Sequence, residues 1–61
     1  MSVTVQGLIE LARVAAGEDR RAQERWLLDR AKGVGHEPTL VAIQTAVSVV
    51  RLRIWLEACR G

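Results

Sequence analysis

Apolar residues recur along this chain at the three- and four-residue steps of amphipathic helices. Val5, Leu8, Ala12 and Ala15 share one stripe, with Ile9 and Ala16 beside it, which predicts a helix entered from Ser2 or Thr4 as a cap. Gly7 falls in its first turns, where it weakens a helix by up to about 1 kcal/mol relative to alanine. Lys32 to Glu37 forms the clearest loop, with Gly33 as a helix terminator and Pro38 suited to a first helical turn. A second helical region follows from Pro38 to Arg60. Strand-like alternation is confined to Ser2–Gln6, and one strand makes no sheet within a monomer.

At Gly17 two layouts compete. If the seam runs on through positions 19, 22 and 26, one long helix carries a single violation, Asp19. If Gly17 ends a helix, Asp19 caps the next, since acids suit a helix N-terminus. The first layout is a helical hairpin whose nearly matched arms would pair into a four-helix dimer; the second is three helices, the last much the longest. Matched arms favour the hairpin. Either way the expectation is one all-α domain over residues 1–61, associating into a helical bundle as a homodimer.

The segment from Pro38 onwards carries the strongest signal. Leu40, Ile43, Ala46, Val47, Val50, Ile54 and Ala58 fall on one stripe of the helical wheel, and Val41, Val49, Leu52 and Leu56, with Thr45 and Cys59 among them, fall on another about 160° away. Polar arcs separate them, Gln44, Ser48 and Arg51 on one side and Arg53 and Glu57 on the other. A helix apolar on opposite sides needs two partners, and 61 residues are too few to enclose it. Self-association or a dedicated protein partner follows, with Val41, Ile43, Val47, Val49, Val50, Leu52, Ile54, Trp55 and Leu56 as the expected interface. The continuous apolar run from Leu40 to Val50 already contains Gln44, Thr45 and Ser48 and is closed by Arg51 and Arg53. A membrane span needs roughly 18 residues, so the expectation is a buried helix of a soluble protein with no membrane partner.

Composition sharpens this reading. Hydrophobic residues make up 49% and charged residues 26% of the chain, which is globular usage rather than that of a disordered tail. The apolar set is dominated by Val, Leu and Ala with no Phe or Tyr, so the core is thin, and association would steady it. A single cysteine, Cys59, allows no intrachain disulfide, and the uncharged first residues lack the basic start of a signal peptide. A cytoplasmic protein is expected.

Catalysis needs several polar groups converging in a pocket, and few are available. His36, the sole histidine, stands beside Glu37 in a loop, and Cys59 sits near a helix C-terminus, where the dipole opposes a thiolate. Gly33-Val34-Gly35 lacks the spacing and the Lys-Ser/Thr pair of a phosphate loop, and one His and one Cys do not make a metal site. No cofactor, metal or enzymatic activity is expected. The net charge is only +2, yet Arg20, Arg21, Arg25, Arg30 and Lys32 cluster around Trp26 and could contact nucleic acid. Set against that are the i,i+4 pairs Arg20–Glu24 and Arg25–Asp29 and the i,i+3 pair Asp29–Lys32, the ordinary furniture of a solvated helix. Trp55 lies on a polar arc near Arg51, either as a cation-π partner or at an interface rim. The sequence is therefore read as a non-enzymatic interaction module (adaptor, assembly subunit or small inhibitor), with a nucleic-acid-binding regulator as the alternative.

Overall fold

Three helices build the protein, α1 (Val5–Ala16), α2 (Arg20–Ala31) and α3 (Glu37–Arg60); the computed structural model describes residues 4–60. The chain thus takes the layout that breaks at Gly17, and the expected hairpin is corrected. Gly17 has φ 77° and ψ −153°, a backbone region essentially reserved for glycine, and its N–H closes α1 on the Arg13 carbonyl at 2.8 Å. Asp19 then caps α2, its carboxylate accepting from the N–H groups of Arg21 at 3.0 Å and Ala22 at 3.5 Å. An uninterrupted helix would have sacrificed this cap and turned an aspartate into the seam.

At the other end of α1, the Thr4 hydroxyl accepts from the Gly7 N–H at 3.0 Å. A Cβ at Gly7 would meet that hydroxyl at 3.0 Å, which accounts for a glycine where the helix would otherwise favour alanine. Val5 and Gln6 belong to α1, not to a strand; Ser2 and Val3 lie outside the described residues. Between α2 and α3, Gly33 takes φ 80°, and the His36 carbonyl accepts the first α3 bond, from Leu40 N–H at 3.0 Å.

The core lies where the three helices meet, formed by Leu8 and Ala12 of α1, Leu27 of α2, and Ile43, Ala46, Val47 and Val50 of α3. Val5, Ile9, Trp26, Ala31, Val34, Ala42 and Ile54 pack around it, half-buried. A buried Leu, Ile or Val contributes about 1.5–3 kcal/mol, so α3 supplies much of the cohesion from its inner face alone. Gln23 is the exception in this interior, fully buried and polar. Its amide donates to the Gly17 carbonyl and its Oε1 accepts from Arg20 Nη1 at 3.2 Å, while Arg20 Nε donates to Glu57 at 2.9 Å. A continuous polar chain therefore ties the α1–α2 turn to the C-terminal half of α3.

Candidate functional site

α3 divides lengthwise into two unlike faces. Its inner face sits in the core: Ile43 is 1% exposed, Val47 4% and Val50 0%. These three members of the expected interface, with half-buried Ile54, are therefore taken up within one chain against α1 and α2. The outer face has no such cover. Val41, Leu52, Trp55 and Leu56 are 46–61% exposed, and Val49 is half-buried at its margin.

Two serine and threonine positions run through the middle of the outer face without making it hydrophilic. Thr45 donates its hydroxyl to the Val41 carbonyl at 2.9 Å, and Ser48 donates to the Gln44 carbonyl at 3.1 Å. Each hydroxyl proton is already used within α3, so a partner can cover these residues without stranding a donor, the usual cost of burying a hydroxyl. What remains is an apolar strip with two shallow points. On one side of it lies a groove of about 180 Å³ between α2 and α3, lined by Leu28 and Ala31 and by Gln44, Ser48 and Arg51. Leu28 is itself exposed.

Two ion pairs tie α3 to α2. Arg51 donates to Glu24 at 2.6 Å and Arg20 to Glu57 at 2.9 Å. These cross-helix pairs replace the expected Arg20–Glu24 pair, and no Arg25–Asp29 bridge forms among the described residues; Asp29–Lys32 survives as a loose contact at 3.9 Å. Arg51 consequently does not stack on Trp55. The cation-π contact is Arg30 over Trp26, 5.3 Å from the ring centre. The Glu10 hydrogen bond, then the charges of Glu10 and Glu18, hold the Arg13 guanidinium above its ordinary value; arginine is charged throughout the accessible range, so no switch results.

The basic segment is dispersed rather than gathered. Arg20 turns to α3, Arg30 covers Trp26, and only Arg21, Arg25 and Lys32 share the outward side of α2 with Leu28 and Asp29. Trp26 is half-buried against the core beneath Arg30, and is not presented to a base. His36 faces Thr39, its Nδ1 at 2.8 Å from the hydroxyl, and Cys59 is exposed in the last turn of α3. Among the described residues no group of three or more His, Cys, Asp or Glu is placed to hold a metal ion.

Taken as a whole, α3 contains an 18-residue window of mean hydropathy 1.4 that is 28% buried, long and apolar enough to cross a membrane. The window is longer than the uninterrupted run to Val50 because it takes in Arg51 and Arg53 as its only charges. A core helix meets the same criterion, and the inner face of α3 is used as one. Compared with protein-family models, curated proteins and solved structures, the chain matches none.

Proposed function

We propose that this protein is a non-enzymatic interaction module of the cytoplasm whose working surface is the outer face of α3, where it receives a helix of a protein partner, its own copy included. The observation that carries the reading is the uncovered strip Val41–Leu52–Trp55–Leu56 on a helix whose opposite face already holds the core. Scattered apolar residues are normal on a surface, whereas a contiguous strip marks an interaction site. Tryptophan in such a strip is a frequent energetic anchor. The internally satisfied hydroxyls of Thr45 and Ser48 add to the case, since they make the strip cheap to desolvate.

The nucleic-acid alternative draws on fewer groups: three outward cations on α2, with the tryptophan of that segment, Trp26, half-buried beneath Arg30 rather than presented to a base. It would show as steeply salt-dependent binding lost on charge reversal of Arg21 and Arg25. The interaction reading is tested by capture from cell extract on the wild-type chain and on Leu52→Glu side by side. Proteins retained by the first and released by the second support the reading; an identical set on both contradicts it.

A further inference from the structure

Resting on that reading, we propose that the occupant of the outer α3 face is a second copy of this chain, laid antiparallel about a two-fold axis passing between Ser48 and Leu52. The strip's positions are Val41, Thr45, Ser48, Leu52, Trp55 and Cys59, at steps of four, three, four, three and four, the spacing with which helices interdigitate. Its small polar residues, Thr45 and Ser48, lie on one side of the midpoint and its bulkiest, Leu52 and Trp55, on the other, with Val41 and Cys59 at the two ends. Antiparallel pairing sets Ser48 against the partner's Leu52, Thr45 against the partner's Trp55 and Val41 against the partner's Cys59. Every bulky side chain then meets a small one. Parallel pairing sets Trp55 on Trp55 and Leu52 on Leu52 while leaving gaps between facing serines and threonines, and interiors tolerate neither overpacking nor voids.

Charge points the same way. Glu37 stands in the first turn of α3, while Arg51, Arg53 and Arg60 stand in its C-terminal half, where the one acid, Glu57, is already paired with Arg20. Antiparallel packing brings Glu37 to the arginine-bearing end of the partner, whereas parallel packing gathers the C-terminal arginines of both copies at one end of the pair. Arg51 does approach its copy beside the axis, but Glu24 already balances it at 2.6 Å. Extent is adequate as well. A standard interface takes about 800 Å² from each partner, under a fifth of this chain's 4510 Å², and from Val41 to Cys59 the strip is about 27 Å long on a molecule 38 Å in its longest dimension. The inner faces stay bound to α1 and α2, so the two α3 helices would form the centre of a six-helix bundle.

Disulfide trapping reads the arrangement directly. Under mild oxidation with oxidised glutathione, Val41→Cys, which retains Cys59, is expected to convert to a covalent dimer whose link maps to residues 41 and 59. The wild type and Val41→Cys/Cys59→Ser are expected to stay unlinked. Cys59–Cys59 links in the wild type would overturn the antiparallel pairing while leaving the docking face intact. Links formed equally well with Leu52→Glu or Leu52→Ser added would overturn the docking face too. A wild type that stays monomeric and floats with phosphatidylcholine or phosphatidylglycerol vesicles would overturn the second copy in favour of a lipid surface. A monomer that does not float would overturn it and leave the face to the capture experiment.

Discussion

The two sides of α3 are built from the same residue types and meet opposite fates. Ile43, Val47 and Val50 are buried within one chain, whereas Val41, Leu52 and Leu56 are about half exposed. Composition does not separate them; topology does. Two twelve-residue helices cover one side of a 24-residue helix and cannot reach the other. The contrast separates apolar residues that hold the fold from apolar residues left over for something else.

Substitutions should part the two faces by size of effect. Ile43→Ala removes a fully buried side chain beside Leu27 and Val47, and a loss of about 2–5 kcal/mol is expected in urea unfolding; a loss within 0.5 kcal/mol would mean that the inner face is not the core. Gln23→Ala comes next, at about 1–3 kcal/mol, because it deprives the Gly17 carbonyl of its side-chain donor and Arg20 of one of its two acceptors. Asp19→Ala should cost about 0.5–2 kcal/mol through lost capping of α2; a gain in stability would instead favour an uninterrupted helix through Gly17. Leu52→Ser should change the unfolding of dilute, dissociated protein by no more than about 0.5 kcal/mol, and a larger loss there would place Leu52 within the folding core. Glu57→Gln is also small, within about 1 kcal/mol, since its pairing with Arg20 is partly exposed, and the difference should shrink in high salt.

Much of this architecture is legible in the sequence. The wheel of residues 38–60 separates the two stripes, and the glycines and proline mark the loop before α3. The break at Gly17 was not decided by pattern, because a hydrophobic seam with one violation and a capped restart look alike until the cap's hydrogen bonds are counted. Gln23 escaped notice altogether. A glutamine reads as surface, and only the turn that brings the Gly17 carbonyl back towards it makes burial tolerable. The ion pairs were misassigned for a related reason: Arg20 has an acid four residues away at Glu24, yet its actual partner, Glu57, is 37 residues away, and local spacing cannot weigh a tertiary contact against a helical one. The expected interface mixed both stripes, since periodicity shows that two faces exist without saying which one the chain covers itself.

The central claim is that the outer face of α3 is made to be covered by another copy of the chain. Sedimentation equilibrium of the wild type and of Leu52→Glu, over a range of micromolar concentrations, addresses it most directly. The wild type should approach twice the 6.8 kDa chain mass as concentration rises, and Leu52→Glu should remain at the single-chain mass with unchanged helical content. A wild type that stays at the single-chain mass throughout, or a variant that associates equally well, would contradict it.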